Sequence, residues 1–345
     1  MYKRFLLTLP FIFLGSFAFA QGNGQTNFQI LQSISPARIA ALGGNAIAVK
    51  DGDLALGMVA PSLLDSNASD QITFGYTPFF GEANIAHAAY AKDFSDIGTF
   101  SLAIQSLGYG DFDMTTETGE VVGSFNAGEY LFQAGYGRQL NDRFSVGGNL
   151  KFVLSELADY RATALALDLS ASYYKPSKGF TATFLIKNVG TSLSSYREGV
   201  NEEMPFEVQA AISKKLAKAP IRLSLVAENL QRWDLTPEPT TTEIDPLTGE
   251  EIVNNPGGFG ENLARHLIAN AEILLTDNFH IRVGYNYNRR QQLKIDDNPG
   301  AAGITYGLGL RIAKIHLSYA RAAYSLAGVS NHFTLSVKFE DFRKS

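Results

Sequence analysis

The chain has no cysteine among its 345 residues. That excludes disulfide staples, thiolate metal sites and cysteine nucleophiles. Histidine is scarce: His87, His266, His280, His316 and His332 are scattered, and none has a second histidine three or four positions on, so a helical zinc pair is absent. Charge is thin as well. Charged residues make up 18% of the chain, against about 25% in an ordinary soluble domain. A net charge of -5 does not suit phosphate backbones, so no nucleic-acid partner is expected. There is no G-x-S-x-G elbow and no Walker loop. Asp51-Gly52-Asp53 and Asp296-Asp297-Asn298 lack the spacing and terminal Glu of a calcium loop. These absences leave no catalytic residue, metal site or cofactor to assign. Beyond the N-terminus, no apolar run reaches the roughly 20 residues of a spanning helix.

The N-terminus has a different character. Lys3 and Arg4 precede an apolar stretch from Phe5 to Phe17, and Ala18-Phe19-Ala20 supplies the small residues of a cleavage site before Gln21. This pattern predicts a secretory signal peptide over residues 1–20.

Glycine (32 residues), phenylalanine (24) and tyrosine (15) are plentiful. From about residue 71 the dominant period is two. Ile281, Val283, Tyr285 and Tyr287 share one face, and Arg282, Gly284, Asn286 and Asn288 the other. Ile304, Tyr306, Leu308, Leu310 and Ile312 oppose Thr305, Gly307, Gly309 and Arg311. Phe333, Leu335 and Val337 oppose His332, Thr334 and Ser336. Successive side chains on a strand point to opposite faces, so each segment has an oily and a polar side. About fourteen segments read this way, near 71–77, 85–93, 98–107, 129–139, 143–155, 162–174, 180–189, 205–214, 221–230, 264–275, 279–289, 302–312, 314–324 and 331–341.

The connections alternate. Short ones fall at Ser95-Asp96, Asn141-Asp142, Lys175 to Lys178, Ala217 to Pro220, Thr276 to Asn278 and Ala313. Longer ones, such as Leu107 to Gly128 and Gln231 to Leu263, mostly fall between them. Short turns on one rim and long loops on the other mark a transmembrane barrel, and closure satisfies every backbone group in lipid. The expected fold is all-β: an antiparallel barrel of about 14 strands over residues 71–345, with a small N-terminal plug over 21–70. A soluble β-sandwich also alternates, but the short–long rhythm and the strand lengths favour the barrel. The polar face, rich in Gly, Ser, Asn and charge, suggests a wet lumen. Asp168, Lys151, Arg222, Glu228, Arg282 and Arg311 fall on it.

The plug carries Pro36, Arg38, Leu42, Gly43, Gly44 and Pro61 as its marked residues. The long loops hold the candidate docking residues Tyr109, Asp111, Phe112, Asp113, Tyr196, Arg197, Arg232, Trp233 and Asp234. Trp233 is the only tryptophan, and a loop tryptophan is a common binding anchor. Leu107 to Gly128 contains acidic residues and no Lys or Arg, which suits a basic partner.

The block Ser35-Pro36-Ala37-Arg38-Ile39-Ala40-Ala41-Leu42-Gly43-Gly44-Asn45-Ala46, followed by Ala60-Pro61-Ser62-Leu63-Leu64, resembles the hatch of FadL-like outer-membrane barrels. It is most similar to the branch that includes PorV and PorQ of type IX secretion. Further blocks extend the resemblance, among them Phe144 to Phe152, Ile186-Lys187-Asn188-Val189-Gly190 and Asn229 to Leu235. Ala60 stands where the hatch motif usually has Asn. The resemblance implies an integral outer-membrane protein with loops at the cell surface. It further implies a scaffold that anchors a PorZ-like surface protein beside PorU- and PorV-like members of the attachment complex, which links cargo to lipopolysaccharide. The alternative is a FadL-like transporter of hydrophobic molecules.

Overall fold

The structure, a computed structural model, describes residues 28–79, 81–197, 202–236, 243–244, 251–252, 258–293, 300–325 and 328–339. The signal peptide expected over 1–20 and the Asp296-Asp297-Asn298 triplet lie outside them. The strands are β1 (Gln71–Pro78), β2 (Asn84–Phe94), β3 (Gly98–Thr115), β4 (Val121–Gln139), β5 (Phe144–Leu157), β6 (Tyr160–Lys175), β7 (Phe180–Ser194), β8 (Glu207–Lys215) and β9 (Ile221–Ala227). They continue with two-residue strands β10 (Glu243–Ile244) and β11 (Glu251–Ile252), then β12 (Leu267–Leu274), β13 (Phe279–Asn286), β14 (Ile304–Ile312), β15 (Ile315–Ser325) and β16 (Gly328–Lys338). All except β10 and β11 join one closed barrel of 14 antiparallel strands, and β1 seals it against β16 from Gln71↔Lys338 to Tyr76↔Phe333.

The two faces separate as the alternation requires. Ile304, Tyr306, Leu308, Leu310 and Ile312 are exposed, while Thr305 is buried. Phe333 and Leu335 face out; His332, Thr334 and Ser336 face in. Among the described residues no helix is long and apolar enough to cross a membrane, so the strands carry the apolar surface. Aromatic pairs Phe94–Phe100, Phe100–Tyr136, Phe144–Tyr173 and Tyr173–Phe180 lie 5.0–6.4 Å apart. All of these rings stand beside the short turns, so they form an aromatic girdle at that rim.

Several boundaries differ from the sequence expectation. The stretch from Leu107 to Gly128 is not a loop: β3 and β4 pair on to Thr115↔Val121 past a bulge at Gly108/Gly110. Their neighbours stop earlier, at Asn84↔Gly108 and Ala127↔Leu157, so the hairpin stands off the barrel as a two-stranded ribbon. Phe112 and Phe125 stack across it at 5.4 Å. Alternation fades there because both faces of a free ribbon meet solvent. The strand expected over 264–275 starts with helix α3 (Phe259–Arg265), where Arg265 pairs with Glu261 one turn back at 2.8 Å. The strand expected over 279–289 ends at Asn286, whose side chain accepts from the Arg289 amide at 2.9 Å and caps a second helix (Tyr287–Leu293). Tyr287 is therefore helical and half-buried instead of lipid-facing.

The lumen is not wet over most of its height. Residues 28–69 fill it with short helices α1 (Ala37–Ala41) and α2 (Leu54–Val59) and three 3-10 turns. Ile39, Leu42, Ile47, Leu56 and Leu63 pack against wall residues Leu185, Ala211, Val226 and Ile268. The irregular backbone of this segment needs partners, and the inward-facing wall supplies them. Thr334 Oγ1 accepts from Ala37 N (2.9 Å), and Thr305 Oγ1 accepts from Gly43 N (2.9 Å) while donating to Ala41 O (2.9 Å). Ser170 Oγ accepts from Ser62 N (2.8 Å), and Gln133 and Asn149 both donate to Met58 O (2.8 and 2.9 Å). Where the two surfaces touch most closely the wall has no side chain at all. A Cβ at Gly284 would run into the Gly43 nitrogen, and one at Gly147 into the Pro61 carbonyl.

Gly284→Val is therefore expected to displace the 41–44 turn at a cost of about 1–3 kcal/mol. A heat-modifiability gel of the folded barrel checks this: the variant unfolds at a lower temperature, whereas Gly123→Val, in open space on the hairpin, leaves it unchanged.

Candidate functional site

Arg38 is the hub of the segment inside the barrel. Its guanidinium reaches Asp51 (2.7 Å), Asp53 (2.9 Å) and Glu272 on β12 (2.9 Å). Glu272 is also bound by Arg222 from β9 (2.6 Å) and Arg282 from β13 (3.1 Å), and Arg222 reaches Asp51 (3.1 Å). Three cations face three carboxylates, so the cluster is neutral although Glu272 and Arg38 are buried. Of Asp51 and Asp53, weighed above as a calcium loop, Asp51 accepts from arginine at both oxygens, while Asp53 accepts from Arg38 at Oδ2 and from the Ala55 amide at Oδ1 (3.0 Å), which caps α2. Burial alone would raise the Asp51 carboxyl, but Arg38 and Arg222 outweigh it and hold it well below the usual carboxylate range. Pro36 starts α1, Leu42 is fully buried, and Gly43 and Gly44 turn the chain at φ 83° and 92°. Pro61 opens the 3-10 turn Pro61–Leu63, and Ala60 caps it without a side-chain bond. A second buried pair, Lys151–Asp168 (2.6 Å), lies across β5 and β6. Asp168 also accepts from the Asn188 amide (2.8 Å) at a bulge in the β6–β7 ladder. Of the polar-face charges read from the sequence, Arg311 is exposed.

Beside the Arg38 cluster the barrel holds a cavity of about 620 Å³. Ile34, Ile39, Met58 and Val59 line it from the inner segment, Lys151 and Gln209 from the wall, and Met204, Phe206, Arg232 and Leu235 from the connections at its rim. Here the wall changes construction. The β7–β8 ladder ends at Lys187↔Glu207 and the β8–β9 ladder at Ala210↔Ala227. Beyond them, side chains do much of the joining. Gln231 accepts from Val208 N (2.9 Å) and donates to Phe206 O (3.0 Å), while Glu207 accepts from Asn229 N (3.3 Å). Asn229 sits at φ 56° and Leu230 N returns to Val208 O (2.9 Å). On the outer face an apolar groove of about 470 Å³ runs from the short-turn rim at Phe144 and Tyr173 over Ala182 to Ala210 and Ala227, where it meets the end of the β8–β9 ladder, flanked by Phe184, Ile212 and Leu225. Gln209, facing the cavity, and Ala210, facing the groove, are chain neighbours.

The residues expected to dock a partner divide. Tyr109 turns inward and donates to Glu129 (2.7 Å), which also accepts from Ile30 N (2.9 Å). Tyr196 donates to Ser155 (2.5 Å) and packs on the same inner cluster. Asp111, Phe112 and Asp113 lie together on the projecting hairpin, and Arg197 is exposed. Trp233 is 49% exposed and rests on Phe259 (5.2 Å) and His266 (5.6 Å). His266 bridges Glu228 O (2.7 Å) and Trp233 O (3.1 Å), fixing that connection over the cavity. Asp234 accepts from Thr236 N (2.8 Å), and Arg232 lines the cavity, apart from the other surface residues. Glu272, Glu129, Asn45 and Gln209 carry much of the interior and were not singled out from the sequence. Alternation with Asn270 and Ile273 places Glu272 inward.

Replacing Arg38 with Met leaves three carboxylates with less compensation, a loss of about 3–5 kcal/mol for a broken buried pair. Hydrogen exchange over 37–64 should rise while the strands stay protected. Because the Asp51 carboxyl is depressed, its contribution is fully present above the ordinary value of about 3.9. It is lost as pH falls toward the folded value. Protection in the native protein should therefore hold from neutral pH to about 5 and decline only below about 4.

No family model matches the chain, and no curated protein does. Solved structures match it over nearly their whole length. The toluene transporter TodX of Pseudomonas putida aligns with 89% of this chain and 99% of its own, at 12% identity and a TM-score of 0.51. A FadL homologue of Pseudomonas aeruginosa covers the same shares at 12% identity and a TM-score of 0.48. The KdgM porin covers 77% of this chain and 98% of its own, at 7% identity and 0.30. None of these three speaks for the type IX branch. The likeness to TodX establishes a shared fold: a closed, 14-stranded antiparallel β-barrel.

Proposed function

We propose that this protein is an outer-membrane channel for small apolar molecules. The observation that carries the reading is the meeting of a cavity inside the barrel, a stretch of wall joined largely by side chains, and the upper end of an apolar groove outside, where the β7–β8 and β8–β9 ladders stop. A molecule held between Met58 and Phe206 needs only local parting of the Gln231, Glu207–Asn229 and Leu230–Val208 contacts to reach lipid. The pinned segment around Arg38 blocks a straight aqueous path, so a sideways route into the bilayer fits the geometry better than a water-filled pore. Sharing a fold with a protein described as a toluene transporter agrees with this reading.

A Val208→Cys/Leu230→Cys pair, placed where Leu230 N bonds Val208 O, tests the route in a chain that has no other cysteine. Oxidation is expected to cut uptake of an apolar dye by about tenfold, equivalent to about 1.4 kcal/mol on a barrier, and reduction to restore it. Equal uptake in both states, at the level of membranes lacking the barrel, argues against the channel.

The surface-anchor reading rests on the sequence resemblance and on the hairpin from Gly110 to Ala127, whose outer edges carry no further strand among the described residues. Its partners would be a PorZ-like surface protein with PorU- and PorV-like members, surrounded by lipopolysaccharide. Co-purification from native membranes that survives in the full-length protein and is lost when residues 111–125 are shortened would favour it.

A further inference from the structure

The cavity has a polar corner with two unmet acceptors. Asn45 is 5% exposed and Gln209 3% exposed, and both line the cavity. Among the described residues, Asn45 Oδ1 and Gln209 Oε1 have no hydrogen-bond partner. The Asn45 amide has a defined orientation, because its side chain also bonds Glu228 and a carboxylate accepts from nitrogen. Glu228 and Glu207 line the same wall, and Asn286 Nδ2 donates to Glu228 at 3.3 Å. A buried acceptor without a donor is costly, so the corner is complete only when something donates to it.

Resting on the channel reading above, we propose that this corner selects neutral apolar molecules bearing a hydrogen-bond donor, such as a phenolic or alcoholic hydroxyl, over the matched hydrocarbons. A hydroxyl can donate to Asn45 Oδ1 or Gln209 Oε1 while its apolar body lies along Ile39, Met58 and Val59. A hydrocarbon of the same shape leaves both acceptors without a donor. The lining carries charge of both signs, Lys151, Lys187, Arg232 and Arg289 with Glu203, Glu207 and Glu228, so the selection rests on hydrogen bonding and not on net charge.

The test uses the full-length barrel in lipid nanodiscs and two probes with one apolar body: 4-butylphenol and butylbenzene. The phenol is expected to bind several-fold more tightly than butylbenzene. Gln209→Met, close in size and lacking the acceptor, should reduce the phenol's advantage by about fivefold, the scale of one hydrogen bond. If that variant does not fold, Asn45→Leu, which removes the other acceptor, carries the same comparison. A phenol advantage that neither variant changes overturns the proposal. Butylbenzene binding without any preference for the phenol overturns it and leaves the channel reading standing. Absence of binding by both probes removes the channel reading itself.

Discussion

Hydrogen bonding of the backbone is the constraint on which the rest of this structure depends. In lipid no water completes an open sheet edge, so the wall closes on itself from β1 to β16. That closure creates an interior, and the segment filling it is irregular and rich in backbone groups that no helix or ladder satisfies. The inward face answers with Ser, Thr, Asn and Gln side chains placed one strand at a time: Thr334, Thr305, Ser170, Gln133 and Asn149. What looks in sequence like the lining of a wet pore is, over most of the barrel, a set of partners for another part of the same chain.

Charge then fixes where the inner segment sits. Glu272 receives arginines from the inner segment, from β9 and from β13, so one carboxylate ties three elements together. A cluster of this kind contributes little net stability compared with apolar packing, yet loses heavily when one member is removed. Its effect is position: it draws the segment toward β9, β12 and β13. The space left beside it, toward β5, β7 and β8, is the cavity. Where the cavity meets the wall, the β7–β8 and β8–β9 ladders end and side chains take over, so the same constraint that seals the barrel is met there by groups that can swing aside.

Legibility in the sequence followed the strength of the local signal. The barrel, the strand number and the short turns were readable because a period of two recurs with one face oily, as in Ile304 to Ile312. The β3–β4 ribbon was not, since no oily face is imposed on strands that stand in solvent. The two short helices at Phe259 and Tyr287 were not, because seven residues give barely two turns of periodicity and their caps depend on residues fixed by the barrel. For the interior, alternation put Lys151, Asp168, Arg222, Glu228, Arg282 and Arg311 on the polar face and marked Arg38 as a plug residue, but could not pair them. Arg38 and Glu272 lie 234 positions apart, and only the closed wall brings them together. Tyr109 and Tyr196 show the limit from the other side: one sits on β3 at the bulge and the other in a connection, and both turn inward to complete hydroxyl contacts.

Native mass spectrometry of the barrel, released from a mild detergent and extracted without heating, tests the central account most directly. An internal cavity bordered by a side-chain-joined wall predicts a single small uncharged molecule retained by the intact protein and lost when Phe206 or Met58 is enlarged. Protein that emerges empty in every detergent, while carrying a stoichiometric protein partner, would contradict it and make the barrel an anchor.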